Sequence, residues 1–253
     1  MQLTFEHPLN ERYRTFLRLE HLFTKVRHFL PQEDPWATRV AIESLLDIVS
    51  ITSRADVKNE LLKELDRNIA TLARIARQPG VDPKALGRVT ADLERAQSNL
   101  QRIPGPIGQT AREDEFLKGI AQRNSIPGGT CSFDLPNFHY WLTQPGEHRE
   151  QRVASWMHDI APVETAIDLV LSLARESARP RRVVAEAGFF QEALNVQAPA
   201  QMVRVTLNGG QPVFPEISGH KSRYSIRFMS PEGNGRPAQS RADVDFTLTC
   251  CVF

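Results

Sequence analysis

Residues 219–228 read Gly219-His220-Lys221-Ser222-Arg223-Tyr224-Ser225-Ile226-Arg227-Phe228. Apolar and polar side chains alternate one by one, the period of a β-strand, in which successive side chains point to opposite faces. Tyr224, Ile226 and Phe228 therefore share one face, expected to dock on helices, and Lys221, Arg223 and Arg227 share the other. The same period recurs in Met202, Val203, Val205 and Leu207, and in Val244, Phe246, Leu248 and Cys250, with turn-forming stretches such as Asn208-Gly209-Gly210 and 231–237 between them. That pattern predicts a small antiparallel β domain over 179–253, entered through Arg179-Pro180-Arg181-Arg182.

Upstream of this region the period is helical. Residues 10–30 carry Tyr13, Phe16, Leu17, Phe23, Val26 and Leu30 at helical spacing. Asp34-Pro35 places a capping side chain before a proline at the first helical position. Ser53 and Asp56 predict the start of a third helix, with Val57, Leu61, Leu65, Ile69, Leu72 and Ala76 on one side. After the break at 78–83, Leu86, Val89, Leu93, Ala96, Leu100 and Ile103 recur at intervals of three and four, a narrow heptad seam. The third and fourth helices thus predict a long antiparallel hairpin. Its narrow seam covers little area, so it packs on the rest of the bundle or on a second copy of the chain.

Thr110 and Glu113 predict a capping box for a helix over 111–123, Asp134 the start of a short one bearing Phe138, Trp141 and Leu142, and two more helices follow over 147–159 and 162–178. The expected fold class is α+β: an N-terminal helical domain over 1–178 with a long antiparallel hairpin, followed by a small antiparallel β domain over 179–253 packed on the helices.

The chain has 253 residues, 41% hydrophobic and 24% charged, with a net charge of +1. A chain of this length buries roughly 70% or more of its unfolded surface, so its core needs no staples. No apolar run approaches the ~18 residues of a membrane helix, and the start, MQLTFEHPLNERYR, has charges where a signal peptide needs its apolar stretch. A cytoplasmic protein is expected. Cys131 stands alone and Cys250 and Cys251 are neighbours, which gives neither a disulfide framework nor a four-ligand zinc site.

Catalytic signatures are missing as well. The sequence has no phosphate loop, no dinucleotide fingerprint, no G-x-S-x-G elbow and no H-E-x-x-H helix. Ser132, Asp134 and His139 lie close together beside Cys131, but triads are assembled by geometry and are rarely this compact in sequence. The simpler reading is capping by Ser132 or Asp134 next to a buried cysteine. No enzyme, cofactor or metal is expected.

What the sequence does carry is positive charge in rows, chiefly arginine: only six of 31 basic residues are lysine. Arginine presents a rigid fork suited to carboxylates and phosphates. The row Lys221, Arg223, Arg227 is either a solvated outer face or a platform for an acidic ligand. In the first helix, Arg14, Arg18, His21 and Lys25 form one stripe without an acid on it. Arg112 is expected in a first helical turn, where the helix dipole disfavours a cation. A short acidic peptide suits these surfaces better than nucleic acid, because total charge is near neutral and no nucleic-acid module is recognisable. A nucleic-acid-binding adaptor using the basic strand is the alternative, and a hydrolase using Cys131 or His139 comes third.

Several strings match a known family. They are Phe5-Glu6-His7-Pro8-Leu9-Asn10-Glu11, Leu61-Leu62-Lys63-Glu64-Leu65-Asp66-Arg67, Ile107-Gly108-Gln109 with Arg112-Glu113-Asp114, Ser125-Ile126-Pro127-Gly128-Gly129 with Cys131-Ser132-Phe133-Asp134-Leu135-Pro136, and Ile217-Ser218-Gly219-His220-Lys221-Ser222-Arg223 with Ile226-Arg227-Phe228-Met229. On these the chain resembles the ZapD family of FtsZ-associated bacterial division proteins. The resemblance implies a cytoplasmic homodimer, recruited to the midcell division ring, that binds the acidic C-terminal tail of FtsZ. Such a protein bundles FtsZ filaments and promotes Z-ring assembly, without catalysis, cofactor, nucleic acid or membrane insertion. It places the tail-binding surface on Arg14, Arg18, Arg112, His139, Lys221, Arg223 and Arg227.

Overall fold

A computed structural model of the chain describes residues 2–54, 56–195, 199–220, 222–231 and 235–253. The fold is α+β, with a helical N-terminal part and antiparallel sheets in the C-terminal part. The chain divides into two compact units, Met1–Leu17 with Leu171–Phe253, and Arg18–Val170. Strand β1 (Gln2–Pro8) precedes helices α1 (Glu11–Phe29), α2 (Pro35–Arg54), α3 (Val57–Ile75), α4 (Pro83–Arg102), α5 (Gln109–Glu113), α6 (Glu115–Asn124), α7 (Pro136–Leu142), α8 (Gly146–Met157) and α9 (Ala161–Glu176). Strands β2 (Arg181–Ala185), β3 (Phe189–Ala193), β4 (Met202–Asn208), β5 (Phe214–His220), β6 (Arg223–Ser230), β7 (Ala238–Gln239) and β8 (Val244–Cys251) follow.

In the first unit one sheet runs in the order β1-β4-β8-β2. The second runs β3-β6-β5, with β7 also pairing β6. All pairings are antiparallel. Strand β6 alternates as its sequence dictates: Tyr224, Ile226 and Phe228 are buried and Arg223 and Arg227 exposed. The apolar face does not seek helices, as the alternation alone suggested. It packs with Val203, Val205, Leu207, Val244, Phe246 and Leu248 of the other sheet in one core. Each such side chain contributes about 1.5–3 kcal/mol when fully buried, so the two inner faces satisfy each other. Strand β1 completes the first sheet through the register Glu6↔Arg204.

In the second unit α3 and α4 form the expected hairpin, and Leu61, Leu65, Leu93 and Leu100 are fully buried. Asp82 caps α4 by accepting from Lys84 N–H at 2.9 Å, one residue before the helix-starting Pro83. Asp34 accepts from Trp36 N–H at 3.2 Å at the head of α2. Asp56 precedes α3 but spends its carboxylate on Asn59 Nδ2 (2.7 Å), not on a backbone N–H.

The capping box of Thr110 and Glu113 does not form. The chain breaks at Asp114 instead, whose carboxylate caps α6 through Leu117 N–H (2.9 Å) and also accepts the indole N–H of Trp156 (3.0 Å). A carboxylate serving two donors outcompetes a box that would satisfy only the helix end. Burial raises the Asp114 carboxyl, but these bonds and Arg152 outweigh it and hold it below the usual range. Phe116, Phe138, Trp141 and Trp156 cluster behind it, with ring centroids 5.5–6.1 Å apart among the contacts of Phe116.

Candidate basic binding surfaces

In the first unit, the outer face of the second sheet presents Arg223, Ser225 and Arg227 of β6. Cross-strand neighbours are Gln191 and Ser218 beside Ser225, and Phe189 and Glu216 beside Arg227. Gln191, Ser218, Gly219, Ser222, Arg223 and Ser225 line a polar groove of ≈610 Å³. Its walls are hydroxyls, an amide and a guanidinium, a set that donates to carboxylates and exchanges hydrogen bonds with backbone without offering a paired nucleophile and base. The groove-lining residues of β3 and β5 were missed by reading β6 alone, because only strand pairing puts them side by side. Glu216 was missed for the same reason, and it interrupts the cationic row next to Arg227. Lys221 lies outside the described residues.

Arg14 belongs to the same unit. A side chain at Gly219 would meet Leu9 Cδ2 at 2.3 Å and His7 Cδ2 at 3.6 Å, so β5 is glycine where the chain leaving β1 crosses it. Burial lowers the His7 pKa, and the Arg14 guanidinium pushes it further down. The charge of Arg14 is thereby felt at His7, which packs with Leu9 against the buried face of β5 at Gly219. Arg14 is not uncompensated, as the helical stripe suggested: Glu11 Oε1 sits 3.1 Å from its Nε, one turn earlier. Between the two sheets, Tyr224 donates its hydroxyl to Glu192, which also accepts from Arg181 (2.6 Å). Burial and that carboxylate raise the Tyr224 phenol well above its ordinary value, so it stays a neutral donor.

The other three expected residues lie in the second unit, each exposed on its own element: Arg18 on α1, Arg112 on α5 and His139 on α7. Arg112 is in the last turn of α5, where the dipole favours a cation, so the hint drawn from a first-turn position is withdrawn. It lines a cleft of ≈340 Å³ with Asp56 and Lys58, whose Nζ donates to Ile103 O (2.8 Å).

Beside His139, Asp134 does not cap α7. Its Oδ2 accepts from the half-buried Cys131 thiol at 3.3 Å, and Arg123 Nη1 is 3.8 Å from its Oδ1. Leu135, not Asp134, occupies the capping position. Around this turn Trp36, Phe133 and Tyr140 are exposed. Arg39 donates to Thr130 O (3.0 Å) and lies over the rings of Trp36 (5.2 Å) and Phe138 (4.8 Å). Exposed aromatics beside a stacked arginine are the composition of interaction surfaces; nothing in the spacing of 36 and 133–140 announces their convergence. Among the described residues no group of three or more His, Cys, Asp or Glu could hold a metal ion, and no helix is long and apolar enough to cross a membrane.

A family model described as ZapD, cell division protein, matches residues 17–227. Among similar proteins, a cell division protein ZapD of Methylococcus capsulatus is 41% identical over 252 residues, covering 100% of this chain and 99% of its own. A cell division protein ZapD of Azoarcus sp. is 39% identical over 251 residues, 99% of this chain and 100% of its own. One of Ralstonia nicotianae is 41% identical over 252 residues, 99% of this chain and 100% of its own. The name these relatives share describes a cell division protein and not an enzyme.

Proposed function

The chain belongs to the ZapD family of cell division proteins, and from that premise we propose that it binds the acidic C-terminal tail of FtsZ and cross-links FtsZ filaments at the midcell ring, acting in the cytoplasm as a homodimer. One observation carries this reading: Arg223 and Arg227 project from the outer face of β6, where Arg223 lines a ≈610 Å³ polar groove. Guanidinium forks grip carboxylates in pairs, and a groove of hydroxyls and an amide takes the backbone of an extended peptide. Arg18, Arg112, His139 and Lys221 also contact the tail in this proposal. The role needs no catalysis and no cofactor.

Exposed arginine–carboxylate pairs contribute on the order of 0–1 kcal/mol each, so one tail binds modestly and salt weakens it. Two sites on a symmetric dimer bridge two filaments, and many tails along each filament supply the avidity. The near-neutral net charge of +1 argues against a nucleic-acid backbone as the occupant. The test is low-speed co-sedimentation with FtsZ filaments. Wild type should pellet bundles, and Arg14→Glu, Arg223→Glu or removal of the FtsZ tail should abolish them. Bundling that survives loss of the tail would overturn the reading.

A further inference from the structure

The turn between α6 and α7 holds a large apolar side chain out in solvent. Phe133 is 84% exposed, Trp36 at the start of α2 72% and Tyr140 on α7 69%, and no other large apolar side chain among the described residues exceeds 48%. Leu135 and Phe138, a few residues on, are buried, as apolar side chains are driven to be. Phe133 is not.

The turn that carries it is braced. Ile126 N–H donates to Arg123 O at 3.0 Å, Gly129 N–H to Ile126 O at 2.9 Å, Cys131 N–H to Gly128 O at 3.1 Å and Leu135 N–H to Cys131 O at 3.0 Å. Arg39 ties the turn to α2 by donating to Thr130 O, and its guanidinium lies over the Trp36 ring. A knob presented on a frame already ordered loses little conformational freedom when it is captured.

We infer that Phe133 anchors a second contact with the filament, made to the folded body of the FtsZ subunit and not to its tail, with Trp36 and Tyr140 contributing to the same surface. The inference rests on the cross-linker reading and adds a surface to it. Charge argues for this occupant. Residues 124–138 contain no lysine, arginine or histidine and a single acid, Asp134, whose carboxylate is engaged by the Cys131 thiol and Arg123. An acidic tail finds no cation in this stretch to pair with. A bilayer is equally ill served, since segments that lie on membranes set lysine and arginine around their aromatics. Aromatic side chains in a charge-depleted setting are the composition of a protein–protein interface core. Shape argues the same way, because a projecting anchor needs a pocket to fill. A folded domain offers pockets, and a short extended peptide does not. Exposed ion pairs to the tail are individually weak, and a second contact to the same subunit acts at the effective concentration that the first one sets.

The experiment uses the full chain. Phe133→Ser should leave the thermal midpoint by circular dichroism and the affinity for the FtsZ tail peptide by calorimetry unchanged, yet weaken co-sedimentation with filaments of full-length FtsZ by about tenfold. Trp36→Ser, on a different element, should act in the same direction, and Phe133→Leu, which keeps an apolar knob, should recover part of the loss. If both serine variants bind filaments as wild type does, the inference falls and the tail reading stands. If tail-peptide affinity falls in step with filament affinity, the turn belongs to the tail site. If sedimentation equilibrium shows Phe133→Ser losing self-association, the turn belongs to a second copy of the chain. If wild type floats with phosphatidylcholine–phosphatidylglycerol vesicles and Phe133→Ser does not, it belongs to a lipid surface. Each of these three results overturns the inference. A wild type that binds neither tail peptide nor filaments removes the cross-linker reading and this contact with it.

Discussion

The carboxylate of Glu6 and the guanidinium of Arg175 meet as a two-pronged pair: Nε–H donates at 2.9 Å and Nη2–H at 2.7 Å to the two oxygens. Arg204, the cross-strand neighbour of Glu6 in β4, adds its Nε at 2.8 Å. One acid between two arginines thus ties β1 to β4 and to the end of α9.

Glu6→Gln should lower stability by about 1–3 kcal/mol at neutral pH, because two forks lose their charged acceptor. Burial raises the Glu6 carboxyl, but Arg175 and Arg204 outweigh it and bring the pKa below the usual value. A group whose folded pKa is depressed stabilises the fold above its unfolded pKa. That stability is lost as pH falls from there through the folded value. Urea midpoints should therefore drop on acidification from about pH 5 downward, and Glu6→Gln should drop less steeply than wild type. Parallel slopes for the two proteins would refute the assignment.

Arg149 is 4% exposed and has carbonyls for partners: Leu142 O at 2.7 Å, Gln144 O at 2.9 Å, and Glu33 O. It closes the C-terminal end of α7 onto the residues that lead into α2. Arg149→Met fills much of the volume but strands these acceptors, and should cost about 2–4 kcal/mol. Arg149→Lys should recover less than half of that, because an ammonium cannot span three carbonyls as the fork does. Chemical denaturation of the three proteins checks both statements.

Much of this was legible in advance for one reason: period. The β6 alternation and the α3–α4 seam are enforced by burial on one side, so the pattern survives in the residues themselves. Asp34 and Asp82 were readable because a cap sits next to the turn it serves. What failed depended on distant partners. Asp114 ends α5 because Trp156, 42 residues later, adds a second donor. Asp134 leaves α7 uncapped because Cys131 and Arg123 occupy it. Strand β1 went unassigned, since its pairing partner in β4 lies some two hundred residues downstream. Of the basic residues, β6 periodicity put Arg223 and Arg227 on one face, but no local pattern shows that Glu216 stands beside Arg227.

Gly129 is a test of the turn that carries Thr130 to Asp134. A Cβ there would sit 2.5 Å from the backbone oxygen of Arg123 and 2.9 Å from Ile126 Cβ. Backbone cannot rotate aside as a side-chain tip can, so Gly129→Ala should cost about 1–3 kcal/mol. Gly119→Ala, where a Cβ meets nothing within 4 Å, is the control and should leave stability unchanged or slightly raised. Equal thermal midpoints for the two variants would contradict the collision.

The last prediction separates a carboxylate-binding face from a merely solvated one. If Arg223 and Arg227 hold an acidic peptide, Glu216 opposes it, because it lies directly across the strand pair from Arg227. Glu216→Gln should then tighten binding of the FtsZ tail peptide by a small factor, and Glu216→Arg by more, while Arg227→Gln weakens it. All three effects should shrink as salt rises from ~50 to ~500 mM, since the Debye length falls below the spacing of the charges. A solvated face gives a different result: titration calorimetry would find the same tail affinity in every variant at every salt concentration. The sign of the Glu216 effect decides the matter better than loss of function at Arg227 does. Removing an acid raises affinity only if the ligand is itself negative and close by.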